Sequence, residues 1–154
     1  MEGYGVNSRI VEEANANGAS VLLTCDNGIA AFEAIDEAKK LGMTVIVTDH
    51  HEVPFEEHDG KKIYLLPKAD AIVDPKQEDC AYPFKSLCGT GVAYQLMTLL
   101  FRRMKRTMSH QEIFLQYTAI ATVADVMELV GENRILVRKG LSYLNHTNHT
   151  VFVH

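Results

Sequence analysis

The sequence predicts an α/β fold: a parallel β-sheet flanked by helices, built from βαβ units, with a helical C-terminal part. Two apolar runs of strand length, residues 21–25 and 43–48, have their ends about 24 residues apart. Between them, residues 28–41 place Ile29, Ala30, Phe32, Ala34, Ile35, Ala38 and Leu41 close to helical spacing, opposite Glu33, Asp36, Glu37, Lys39 and Lys40. Strand, amphipathic helix, strand within some 28 residues is the crossover unit of a parallel sheet. Three further helical patterns follow beyond residue 90.

Each element has a local reason. Residues 6–16 read as a short helix with Ile10, Val11 and Ala14 on one side and Gly18 beyond its end. Asn27 is a plausible N-cap for the 28–41 helix and Gly42 its C′ residue. In the polar stretch 52–70, which contains Pro54, Gly60 and Pro67, only residues 63–66 look ordered. Ala71-Ile72-Val73 before Asp74-Pro75 reads as a third strand and a turn. Residues 91–105 form a helix ending in the basic cluster 102–106; helices over 111–124, after a Ser109 cap, and 133–144 follow. No repeat or linker interrupts them.

Bulk properties narrow the function. A chain of 154 residues with 47% hydrophobic content builds one cored domain. No apolar stretch approaches the roughly 18 residues of a membrane span, so no membrane partner is expected. Residues 1–5 show no secretory pattern, and three cysteines without metal-ligand spacing suit a reducing compartment, so a cytoplasmic location is expected. A net charge of −5 excludes nucleic-acid binding by bulk charge alone. It leaves room for an enzyme that meets phosphates through a cation.

The chemistry gathers at strand ends. Asp49-His50-His51 follows the run Thr44-Val45-Ile46-Val47-Thr48, and Asp26 follows Val21-Leu22-Leu23-Thr24-Cys25. Ligands of open parallel sheets bind outside the carboxyl ends of the strands, and neighbouring strands stand roughly 4.8 Å apart. Asp26 and His50 therefore project from one edge as a mixed oxygen and nitrogen set suited to Mn²⁺, Fe²⁺, Co²⁺ or Zn²⁺. Alone, Asp26 would read as a helix cap and His50 as a satisfied core histidine. Asp125 ends the apolar stretch 117–124, where a helix-end acid is the plainer reading. Gly89-Thr90-Gly91 before a helix could offer amides to a phosphate, although tight packing explains it equally well. The basic cluster 102–106 suits a helix C-terminus. Cys25 alternates away from Asp26 and is expected to point into the core. His146, His149 and His154 read as solvated tail residues.

Several segments together resemble the DHH phosphoesterase superfamily and, within it, the RecJ-type exonucleases specific for single-stranded DNA. They are Glu2-Gly3-Tyr4-Gly5-Val6-Asn7, Thr24-Cys25-Asp26-Asn27-Gly28-Ile29, Val45-Ile46-Val47-Thr48-Asp49-His50-His51 and Ala71-Ile72-Val73-Asp74-Pro75-Lys76. Leu87-Cys88-Gly89-Thr90-Gly91-Val92-Ala93-Tyr94, Ala121-Thr122-Val123-Ala124-Asp125-Val126 and Gly131-Glu132-Asn133-Arg134 follow in the expected order.

The resemblance implies that Asp26 bridges two divalent ions, usually Mn²⁺, with Mg²⁺ or Co²⁺ as substitutes. It implies that His50 binds one ion and Asp125 completes the shell of the other. His51 would meet the scissile phosphate or help hold the metals, with Asp49 orienting the histidines. Gly89, Thr90 and Gly91 become candidate substrate contacts. The implied reaction is stepwise 5′→3′ hydrolysis of single-stranded DNA to 5′-mononucleotides in DNA repair and recombination. Protein partners from the replication and repair machinery go unspecified. The family's first motif, Asp-x-Asp-Gly, would lie upstream of residue 2, and its DHH-associated domain downstream. The expectation is thus a partial DHH domain over 1–144, a polar tail over 145–154, no DHH-associated domain, and little nuclease activity from this polypeptide alone. Two other readings are a different DHH hydrolase (of oligonucleotides, a cyclic dinucleotide or pyrophosphate) and a non-catalytic scaffold of the same fold.

Overall fold

The computed structural model describes residues 5–146, which fall into two compact units, one up to Tyr82 and one from Pro83. Glu2, Gly3 and Tyr4 of the first resembling segment, and His149 and His154 of the tail, lie outside the described residues.

The first unit opens with helix α1 (Ser8–Ala16), whose N-cap Asn7 accepts the Ile10 amide at 3.1 Å. Strand β1 (Val21–Leu23) leads to α2 (Phe32–Lys40) and back to β2 (Thr44–Thr48), and a third strand, β5 (Ala71–Val73), completes a parallel sheet of order β1-β2-β5. Leu23 lies opposite Ile46 and Thr48 opposite Val73, so all three strands end along one edge. Val11, Ala34, Ile35, Ala38, Met43, Val45 and Val47 form the core where α1 and α2 meet β2. Gly18 (φ +87) and Gly42 (φ +77) close α1 and α2. In α2 the amides of Gly42 and Met43 turn back to the carbonyls of Lys39 and Ala38.

The sheet, its strand direction and its flanking helices agree with the sequence expectation; several details do not. Helix α2 begins at Phe32, not residue 28, and its N-cap is Ala31 rather than Asn27. Positive φ at Asp26 (63°) and Gly28 (117°) holds residues 26–31 in a loop, and the Asn27 amide donates to the Cys25 carbonyl instead of capping. Cys25 is exposed, not in the core. Thr24 takes the inward phase, because its carbonyl accepts the Thr48 hydroxyl at 2.7 Å.

A second departure is an antiparallel hairpin, β3 (Phe55–His58) and β4 (Lys61–Tyr64), in the stretch read as irregular. Its turn is Asp59-Gly60, both at positive φ (52° and 73°), as a two-residue type I′ turn requires. Every hairpin residue is exposed; Lys62 lies 4.1 Å from the Phe55 ring centroid and Tyr64 packs on that ring edge-on.

The second unit is helical: α3 (Gly89–Arg103), α4 (Gln111–Ala124) and α5 (Gly131–Leu144). The Cys88 thiol caps α3, accepting from the Gly91 amide at 3.4 Å. Ser109 is not the cap of α4; His110, left-handed at φ 58°, occupies that position without a side-chain bond. Buried Asn133 donates to the carbonyls of Ser86 (2.6 Å) and Glu128 (3.0 Å), pinning the start of α5. Helices α4 and α5 meet at Gly140, where a Cβ would lie 2.5 Å from that of Ala119. Helix α4 ends as α1 and α2 do, but the left-handed residue is Val126 (φ 55°), 87% exposed. Among the described residues, no helix is long and apolar enough to cross a membrane.

Candidate metal centre

Ladder bonds continue past the strands and set the positions of the site. The Asp26 amide donates to the Thr48 carbonyl (3.0 Å), and the Asp49 amide to the Val73 carbonyl (3.1 Å). The sheet edge thus carries one aspartate after each strand: Asp26 after β1, Asp49 after β2, Asp74 after β5.

Asp26 and His50 meet there. His50 Nε2 stands 3.0 Å from Asp26 Oδ1, yet that buried oxygen lacks a hydrogen-bond partner among the described residues, so the two atoms converge without the alignment of a hydrogen bond. Ligands at about 2.1 Å from one ion and at right angles to each other stand about 3 Å apart, which is this spacing. His51 joins them: one ligand atom each from Asp26, His50 and His51 all lie within 4.8 Å of one another. The hard oxygen and borderline nitrogen donors fit a divalent cation of the manganese-to-zinc series. Beside them opens a cleft of about 450 Å³ lined by Asp26, Gly28, Asp49 and His51 among others.

Asp49 lies under the cluster, 1% exposed. Its Oδ1 accepts His51 Nδ1 at 2.6 Å and the His50 amide at 2.8 Å, and its Oδ2 accepts the Ile29 amide at 2.9 Å. Burial pushes its carboxyl up, but the donors from Ile29, His51 and His50 outweigh that and hold it below the usual value. The carboxylate orients the ring of His51 and only the backbone of His50, a narrower hold than on both rings.

The cradle for Asp26 depends on Gly28. A Cβ there would lie 2.7 Å from Thr24 Oγ1 and 3.1 Å from Val47 Cγ1, in a backbone conformation (φ +117) that suits only glycine. Gly28→Ala is expected to cost about 3 kcal/mol of stability. A denaturation curve superimposable on the wild type would contradict this.

Asp125 and the Gly89-Thr90-Gly91 segment belong to the second unit. Asp125 is the exposed C-cap of α4. Gly89 and Gly91 are buried in the first turn of α3, with the Gly91 amide taken by Cys88. Sequence reasoning missed Asp74, taken only as a turn residue. It is 2% exposed; its Oδ1 accepts the Lys76 amide at 2.8 Å while Oδ2 has no partner among the described residues. Burial pushes its carboxyl up and the Asp49 charge adds to this, against the Lys76 amide, Lys76 and His50. Its position as the third aspartate to follow a strand was the available signal.

The model of the DHH family N-terminal domain matches residues 3–122. The single-stranded-DNA-specific exonuclease RecJ of Salmonella typhimurium is 42% identical over 150 residues, covering 92% of this chain and 24% of that protein. The Bacillus subtilis protein of the same name is 42% identical over 147 residues, covering 96% of this chain and 17% of its own length. The chain therefore spans about a quarter or less of these relatives. A crystal structure of exonuclease RecJ bound to manganese superposes with a TM-score of 0.72 at 31% identity, over 92% of this chain and 33% of that one. RecJ from Thermus thermophilus in complex with Mn²⁺ gives 0.70 at 28% identity, over 94% and 20%. By the extent of the family match, this chain belongs to the DHH family.

Proposed function

We propose that this chain carries the cation-binding part of a RecJ-type exonuclease that hydrolyses single-stranded DNA from its 5′ end, acting in the cytoplasm in DNA repair and recombination. The observation that carries the reading is the unbonded convergence of Asp26 Oδ1 and His50 Nε2, joined by His51, at the carboxyl edge of a parallel sheet. Asp26 and His50 would hold Mn²⁺, with His51 beside them. A divalent cation supplies positive charge for the phosphate oxygens and makes water a stronger nucleophile near neutral pH.

The chain's own residues do the rest. Asp49 sets the ring of His51 by accepting from its Nδ1, which leaves the Nε2 lone pair on a half-exposed side chain to help hold the cation. In the first turn of α3, half-buried Thr90 would be the contact to a DNA backbone, since Gly89 and Gly91 are buried. The relatives named for single-stranded DNA support this substrate over pyrophosphate or a cyclic dinucleotide.

Calorimetric titration with Mn²⁺ tests the site. Binding in the micromolar range is expected, and Asp26→Ala should weaken it at least about tenfold by removing an anionic ligand. A wild-type chain that takes up no Mn²⁺ would refute the reading in favour of a scaffold. For the substrate, long single strands, a dinucleotide and pyrophosphate offered side by side with Mn²⁺ should give at most slow turnover from this chain, confined to the single strand. Hydrolysis of pyrophosphate instead would overturn that part.

A further inference from the structure

The stretch from Cys80 to Gln111 contains no acidic residue. Within it, four of the chain's 15 lysines and arginines stand together as Arg102, Arg103, Lys105 and Arg106, in a protein of net charge −5. All four are exposed, and none has an ion-pair partner among the described residues. The helix dipole explains part of this, because Arg102 and Arg103 lie in the last turn of α3, where cations are favoured. Lys105 and Arg106 lie beyond it, and like charges three and four residues apart repel. The backbone nevertheless holds them together. Lys105 takes a left-handed turn (φ 53°), its amide donates to the Arg102 carbonyl at 3.1 Å, and the Arg106 amide reaches back to the Phe101 carbonyl at 2.9 Å. These two bonds make a Schellman motif, which folds Lys105 and Arg106 against the end of α3. The fold gathers the cations without neutralising them.

We infer that this cluster is a footing for the phosphate backbone of single-stranded DNA, carried on the second unit, whereas the cation cluster is built on the first. The inference rests on the reading of the chain as part of a nuclease for single strands, and adds to it a place where the strand is held. The argument is charge complementarity. A local concentration of positive charge in an otherwise acidic chain needs anions from outside, and a nucleic-acid strand supplies them in a row. Arginine meets phosphate oxygens through two parallel N–H donors and lysine as a point charge. Each cation that meets a phosphate releases a counterion, so the contact shows itself as salt dependence. An anionic lipid surface is the competing polyanion. A helix lying on such a surface spreads basic residues along its polar face, whereas α3 has no lysine or arginine before its last turn.

The test uses the whole chain in EDTA and a fluorescein-labelled oligothymidylate of about 20 nucleotides, with anisotropy followed from roughly 50 to 300 mM KCl. The wild type is expected to bind, with log K falling against log[KCl] by about 0.7 for each phosphate engaged. Replacing Arg102→Gln, Arg103→Gln, Lys105→Gln and Arg106→Gln together should flatten that slope by about 2–3 and cost at least about tenfold in affinity at the lowest salt. A control with the same change of charge at other exposed positions, Lys61→Gln, Lys62→Gln, Arg138→Gln and Lys139→Gln, should alter the slope by less than about 1. Arg102→Lys, Arg103→Lys and Arg106→Lys together should keep it, since charge alone sets it. Should the four-glutamine chain fail to fold, Arg102→Gln with Arg106→Gln decides, at about half the flattening. Equal flattening in cluster and control variants, an unchanged slope, or a wild type that binds no strand would overturn the inference. So would a cluster variant that keeps its DNA binding and loses binding to phosphatidylglycerol vesicles. Mn²⁺ uptake is titrated on the same proteins. Intact uptake with no effect of the cluster on DNA leaves the cation reading standing, whereas strand binding at the cluster without Mn²⁺ uptake sinks that reading alone.

Discussion

Asp49→Ala is expected to remove about 4 kcal/mol of folding stability, more than any other single change at the sheet edge. The side chain is 1% exposed and takes hydrogen bonds from the amides of Ile29 and His50 and from the ring of His51. Truncation leaves two buried N–H groups without an acceptor. Each costs about 1–3 kcal/mol, and the charge-assisted bonds they made were stronger than neutral ones. The acid limb gives the sign an independent check. Folding holds the Asp49 carboxyl below its ordinary 3.8, so the folded state favours the ionised form. Its contribution is full above the unfolded value and is lost as pH falls through the lower folded value. Urea titrations of wild type and variant should therefore differ by a constant amount from about pH 5 to 8, and the curves should draw together below about pH 4. A gap that widens in acid would mean the carboxyl is not held down.

Gly140→Ala is the second large effect, at about 3 kcal/mol of lost stability. Two forces oppose each other here. Alanine is the better helix former by about 1 kcal/mol, so propensity alone predicts a gain. The added Cβ, however, would overlap the Leu115 carbonyl oxygen and stand 2.5 Å from the Ala119 Cβ and 3.0 Å from the Leu115 carbonyl carbon. Backbone cannot swing aside as a side-chain tip can, so α5 must move off α4 along its length. The clash wins. A denaturation midpoint equal to or above the wild type would show that the two helices part at little cost.

How much was legible in the sequence follows from what kind of force sets each feature. The convergence of strand ends was readable because parallel strands joined by a helix must end on one edge, and Asp26 and His50 follow strands by inspection. The hairpin β3–β4 was not seen because all its residues are exposed, so no face alternates in hydrophobicity; the Asp59-Gly60 pair was its one signal. The start of α2 was placed four residues early because Ile29 and Ala30 fit a helical stripe, whereas the left-handed Asp26 and Gly28 keep the chain in a loop. Cys25 was assigned the wrong phase since Thr24, a polar residue, buries itself through cross-strand bonds to Thr48. Asp74 looked like half of an Asp-Pro turn; burial is a property of the surroundings, and no local pattern announces it.

The corner after α4 has a mechanical meaning. Valine at φ 55° is a poor occupant of the left-handed well, and at 87% exposure its methyl groups touch little that would offset the strain. Glycine would rest there more comfortably but would also wander into neighbouring wells. A branched side chain has easier wells elsewhere, so the bend immediately beyond Asp125 is held against its own preference by the amides of Val126 and Met127, which clasp the carbonyls of Val123 and Thr122.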